Sequence, residues 1–156
     1  MKQIAPGSHL ACGDVDRHIC VGLDGEWKLC PTYTDPHATL GTLQLIEHLP
    51  ITTYVGCHWP VKRGKEIWEF CTETREFVQK AERLLLASLE TPKSLRELCL
   101  EQGPLLGDWP RSADIDLSFS LSGHLSSLKS RGLITGRWRE IAVPVTEYFR
   151  AHEMGI

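Results

Sequence analysis

Apolar side chains along this chain change their spacing as the sequence proceeds, and the spacing predicts the elements. Short apolar runs from Leu10 to Cys12 and from Ile19 to Gly22 are bounded by Gly and Asp, as strands ending in turns are. Pro31 to Thr34 reads as loop. Asp35 followed by Pro36 then predicts a helix start, because the carboxylate caps free amides and proline pre-sets the first helical φ. That helix runs to about His48 with Leu40, Leu43, Ile46 and Leu49 on one side, and Pro50 stops it. Ile51 to Gly56 has the β-branched and aromatic content of a strand, and it leads directly into Cys57, His58, Trp59 and Pro60. From Gly64 to about Glu90, Ile67, Phe70, Cys71, Phe77, Val78, Ala81, Leu84 and Leu85 recur at three and four, which predicts a long amphipathic helix.

Beyond Thr91 the elements shorten. Ser94 and Glu97 form a capping box for a helix through about Glu101, and Gly103 to Asp114, with Trp109, reads as loop. A helix from Leu117 to Arg131 turns Leu121, Leu125 and Leu128 inward, with Gly132 as its left-handed terminator. Ile134 to Arg137 and Glu140 to Val143 predict a two-stranded ribbon around Trp138 and Arg139. Helix, helix, ribbon is the order of a winged helix, so the chain divides into residues 1–90 and 91–156. The fold class is α/β (α+β).

Composition narrows the function classes. At 156 residues, 42% hydrophobic and 24% charged, the chain fits one globular domain or two very small ones. Its apolar stretches are too short to span a bilayer, and Met1 to Gly13 lacks the apolar block of a secretory signal, so the expectation is a cytoplasmic chain with no membrane partner. A net charge of −3 argues against a polyanion as the main partner. The six cysteines, at 12, 20, 30, 57, 71 and 99, contain no Cys-x-x-Cys pair. Cys71 and Cys99 fall on apolar helix faces, where free Cys acts as a small hydrophobe, so reduced thiols are expected rather than a disulfide framework.

Two residues attract attention as metal ligands. His58 follows an apolar strand between Gly56 and Pro60, and Asp14 ends the run His-Leu-Ala-Cys-Gly-Asp. Strand ends can fix an imidazole and a carboxylate where solvent and substrate reach them. An Asp after Gly is also a common turn former, and a His beside Trp59 a common packed residue, so the residue types alone leave both readings open.

The segment from Leu10 to Val78 resembles the second half of the metallo-β-lactamase fold, a family of four-layer αββα metallohydrolases. The match rests on the strand ending in Gly13-Asp14, on Pro31-Thr32-Tyr33-Thr34-Asp35 opening a helix, and on Gly56-Cys57-His58-Trp59-Pro60-Val61 followed by Arg63-Gly64 and the long helix. The 44 positions from Asp14 to His58 also suit that family. The resemblance implies that Asp14 would bridge two metal ions, usually zinc, and that His58 would bind the second ion; Tyr33 and Trp59 are candidate pocket walls beside them. In complete relatives the reaction is attack of metal-bound hydroxide on a small-molecule ester, thioester or related bond.

The family's upstream His-x-His-x-Asp-His run is absent from this sequence, and His9, five residues before Asp14, is a substitute candidate at an unusual distance. A dinuclear site needs about six protein ligands, so hydrolysis or tight zinc binding by this chain alone is not expected. A lone half would also leave one sheet face open, so a second copy or a complementing amino-terminal half is the partner expected. A truncated product, a split gene and a degenerate relative all stay open.

The carboxy-terminal segment resembles the winged-helix appendage of some family members, which makes a non-catalytic interaction or DNA-binding module the alternative. Its would-be recognition helix offers His124, Lys129 and Arg131, and its ribbon Arg137 and Arg139. From Thr91 to Ile156 there are eight Lys plus Arg and eight Asp plus Glu, too balanced for strong phosphate neutralisation. A packing or dimerisation module is preferred over a DNA reader, with Trp109 and Trp138 as core or interface anchors. No Gly-rich phosphate loop, Gly-x-Ser-x-Gly elbow or His-Glu-x-x-His helix is present. Cys57 and His58 are neighbours on the expected strand extension and would point to opposite faces, so they are not read as a nucleophile and base.

Overall fold

The computed structural model describes residues 8–12, 17–21, 27–56, 61–109, 114–139 and 145–150. Its first elements are β1 (Ser8–Cys12), β2 (Arg17–Val21), β3 (Trp27–Pro31), α1 (Pro36–His48), β4 (Ile51–Gly56) and β5 (Lys62–Arg63). After them come α2 (Lys65–Ser88), β6 (Lys93–Ser94), α3 (Leu95–Leu106), α4 (Asp114–Ser130), β7 (Ile134–Arg139) and β8 (Val145–Arg150). The strands form three small sheets of order β1-β4-β5, β2-β3 and β6-β8-β7. β1 runs parallel to β4, and the remaining pairs are antiparallel.

The start of α1 follows from its first residues. One Asp35 carboxylate oxygen accepts from the amides of His37 at 2.9 Å and Ala38 at 3.0 Å, satisfying two donors that have no helical partner. Pro36 occupies the first turn and Pro50 follows the end. The buried face is Pro36, Thr39, Leu43 and Ile46, while Leu40 and Leu49 are only partly covered. Thr39 can take a core position because its hydroxyl donates to the Asp35 carbonyl at 2.8 Å.

Two apolar clusters organise the packing. The smaller joins Leu43 and Ile46 of α1, Tyr54 of β4, and Ile67, Phe70 and Cys71 of α2. Tyr54 stacks on Phe70 with ring centroids 5.2 Å apart. The larger gathers Phe77, Val78, Ala81 and Leu85 from the second half of α2 with Leu98, Leu106, Leu117, Leu121, Leu125, Leu128 and Ile134. Leu40 packs against both clusters. At 24 residues, α2 is about 36 Å long and contributes to each with a different half. No helix among the described residues is long and apolar enough to cross a membrane.

Several elements depart from the sequence pattern. α3 does not stop near Glu101 but continues through Gly103 and Pro104 to Leu106, because Gln102, Gly103 and Leu106 are buried by their neighbours. Pro104 cannot donate to the Leu100 carbonyl, but Leu100 lies on the exposed face, where water can. At the end of this helix Lys80 donates to the Leu105 carbonyl at 2.6 Å.

The ribbon also lies later than expected. Trp138 pairs with Thr146 and Arg139 with Val145, so both are ladder residues rather than the tip of the ribbon. The second strand is the β-branched and aromatic run Val-Thr-Glu-Tyr-Phe-Arg that follows Pro144. β3 and the two-residue strands β5 and β6 carry too little pattern to be found by period. The Ser94–Glu97 capping box is present in both directions, and Gly132 ends α4 at φ +70 as expected.

Candidate functional site

β1 and β4 lie side by side and run in the same direction, so their carboxy-terminal ends emerge together. Leu10 pairs with Tyr54, Ala11 with Val55 and Cys12 with Gly56. From His9 onward each pair in that ladder is offset by 44 positions, which is also the interval from Asp14 to His58. Asp14, His58 and Trp59 lie outside the described residues, the first two being two positions beyond the last pair of the ladder. The carboxyl ends of parallel strands are where open α/β sheets hold their ligands. His9 pairs with Thr53, three rows before Cys12 and roughly 10 Å down the strand. Among the described residues, no group of three or more His, Cys, Asp or Glu is placed to hold a metal ion.

A second polar constellation was not anticipated. Tyr33, expected as a pocket wall, is buried in the larger cluster at 4% exposure, and its hydroxyl lies 2.7 Å from Nε2 of His124. The rings meet edge to face with centroids 5.6 Å apart. His124, which only the DNA-binding alternative would place outward, is fully buried. The local cause is close packing of α4 on the chain before α1, where a Cβ at Gly123 would overlap the Thr34 carbonyl. The sequence held a usable signal, since His124 falls at helical spacing within the inward stripe of Leu117, Leu121 and Leu128.

The electrostatics assign this pair a neutral state. Burial pushes His124 down to about 4, with Glu82 pulling the other way and His37 adding to the depression. Burial, reinforced by Glu82, raises the Tyr33 hydroxyl well above its ordinary range. Both groups are therefore uncharged and share one hydrogen bond at Nε2, which leaves the ring's Nδ1. That nitrogen has no hydrogen-bond partner among the described residues and lies 3.9 Å from the Glu82 carboxylate. Glu82 is held from outside by Arg131 at 2.9 Å, and His37 Nε2 lies 2.8 Å from the Ser127 hydroxyl. The arrangement fastens α4 to α1 and α2 through polar contacts inside an otherwise apolar junction.

The residues of the nucleic-acid alternative lie at the end of α4 and along β7. Lys129 is exposed at the end of α4, Arg131 is paired with Glu82, and Arg137 and Arg139 belong to β7. Trp109 is a core residue whose indole donates to Asp114 at 2.8 Å. Cys71 and Cys99 are buried free thiols, as expected, each pushed up to about 11 chiefly by burial. Neither is a reactive thiolate at neutral pH.

The fold is similar to two solved structures. One is a metallo-β-lactamase family protein from Thermus thermophilus, with a TM-score of 0.59 and 23% identity, the match covering 91% of this chain and 42% of that one. The other is a β-lactamase domain protein from Burkholderia ambifaria, with a TM-score of 0.65 and 16% identity over 92% of this chain and 42% of that one. The chain thus has the fold of part of a metallo-β-lactamase family protein and spans well under half the length of either neighbour. No protein-family model matches the sequence, and no curated protein does.

Proposed function

We propose that this chain is the carboxy-terminal part of a metal-dependent hydrolase of the metallo-β-lactamase superfamily, in which Asp14 and His58 serve as zinc ligands. The observation carrying this reading is the parallel β1–β4 ladder, whose offset of 44 from His9 onward ends two positions short of both residues. His9 is left out of the pair because its row lies well down the strand from that end.

Two ligands do not make a dinuclear centre, which needs about six, so the donor set of this chain does not fit a complete zinc pair. No hydrolytic step is assigned to the chain by itself. The remaining donors come in this reading from an amino-terminal half or a second copy, and the substrate of the assembled site is a small-molecule ester or thioester. One apolar position on β4 is open to a partner: Val55 is 38% exposed beside the fully buried Tyr54.

The proposal extends to residues 91–156 as a winged-helix-like unit. Supporting it are the order β6, α3, α4, β7, β8 and the interleaved sheet β6-β8-β7, in which the last strand sits between the other two. It serves packing rather than DNA, in keeping with balanced charge, the inward His124 and the Arg131–Glu82 pair.

Elemental analysis of the purified chain tests the reading. Once a half that carries the His-x-His-x-Asp-His run is added, zinc should bind and esterase activity appear, and both should fall on Asp14→Ala or His58→Ala. Zinc content indifferent to both replacements would falsify the ligand assignment. Salt-sensitive DNA binding lost on replacing Arg137 and Arg139 would favour the rival module instead.

A further inference from the structure

A groove of about 370 Å³ runs between the start of α1, the middle of α2 and the segment just after α4. That volume falls in the range that small-molecule sites occupy. Its wall is aliphatic, built from Leu40, Val78 and Leu86, and its polar groups include Gln79, Arg83 and Arg131. Arg131 is engaged with Glu82 at 2.9 Å, so those two lining charges cancel. Arg83 is exposed and makes no hydrogen bond or ion pair among the described residues, and neither does Gln79. The groove therefore combines an apolar wall with one uncompensated guanidinium and a spare amide at its rim.

We propose that this groove binds an amphipathic monocarboxylate, with its alkyl body on Leu40, Val78 and Leu86 and its carboxylate on Arg83. Charge complementarity chooses the occupant. A single carboxylate matches the single unpaired cation and can take it in a two-pronged hydrogen bond, with Gln79 as a further donor. A neutral amphiphile would gain the wall but not the guanidinium. A dianion would bring one charge more than the single unpaired guanidinium can match. The site uses neither Asp14 nor His58 and no metal, so it stands or falls separately from the hydrolase reading.

Titration of the full chain with sodium octanoate, below micelle formation, is the test, monitored by amide chemical shifts and calorimetry. Saturable shifts are expected at Leu40, Val78, Arg83 and Leu86. Arg83→Gln, an exposed position whose replacement leaves the fold intact, should weaken octanoate about tenfold, the usual effect of losing a charged hydrogen bond. Octanol should bind wild type about tenfold more weakly than octanoate and be indifferent to Arg83→Gln. Shifts that do not saturate, an unchanged octanoate affinity in Arg83→Gln, equal binding of octanol, or shifts centred away from Leu40, Val78, Arg83 and Leu86 would each overturn the assignment.

Discussion

His124 stays uncharged at neutral pH with a carboxylate 3.9 Å away, because burial outweighs that attraction. Its folded value near 4 lies below the ordinary 6.5, so the unfolded chain binds the proton more readily. Stability from the neutral ring is complete above pH 6.5 and is lost as pH falls from there toward 4. The loss between about pH 7 and pH 5 should be on the order of 2 kcal/mol. It should be visible as a falling urea midpoint, and the double replacement Tyr33→Phe with His124→Leu should flatten the dependence over that interval. Tyr33→Phe alone should cost about 1–3 kcal/mol, since it strips a buried ring nitrogen of its partner. A urea midpoint as pH-dependent in the double variant as in wild type would assign the acid sensitivity to other groups. The pair itself was beyond reach of the sequence, because its members are 91 positions apart and nothing local marks Tyr33 as the partner.

Single elements owe their limits to a few side chains that can be tested one at a time. Asp35→Ala removes two capping hydrogen bonds from α1 and should destabilise the chain by about 0.5–2 kcal/mol in chemical denaturation. Gly123→Ala acts differently, by forcing α4 off the Thr34 carbonyl, and should cost about 1–3 kcal/mol although alanine favours helices. A variant as stable as wild type would mean that the loop yields freely. Elements with their own punctuation were legible in the sequence: Asp35-Pro36 opens α1, Ser94 and Glu97 open α3, and Gly132 closes α4. Elements formed by tertiary contact were not. α3 crosses Gly103-Pro104 because burial of Leu106 outweighs local breakers, and β6 is two residues that become a strand only beside β8.

At the scale of the whole molecule, the second half of α2 belongs to the same cluster as α3 and α4. A fragment ending at Glu90 would expose Phe77, Val78, Ala81 and Leu85 along one helix face. Such a fragment should aggregate or lose cooperative thermal unfolding, whereas a fragment from Phe77 onward should retain helical circular dichroism. A cooperative, monomeric 1–90 fragment would count against this shared core. The candidate metal site was partly legible, since Gly-Asp and Gly-x-His name the residues, but their adjacency depends on a ladder that no local pattern encodes. That ladder also sets which changes in chain length the protein can absorb. The hairpin of β2 and β3 lies between the paired strands, so deletions between those two strands alter the count of 44 while leaving the same residues opposite one another. One residue inserted between Leu10 and Cys12 instead slides the strand by a row and turns its side chains to the other face. Homologues should therefore vary freely in that intervening loop length and hardly at all within the two short strands.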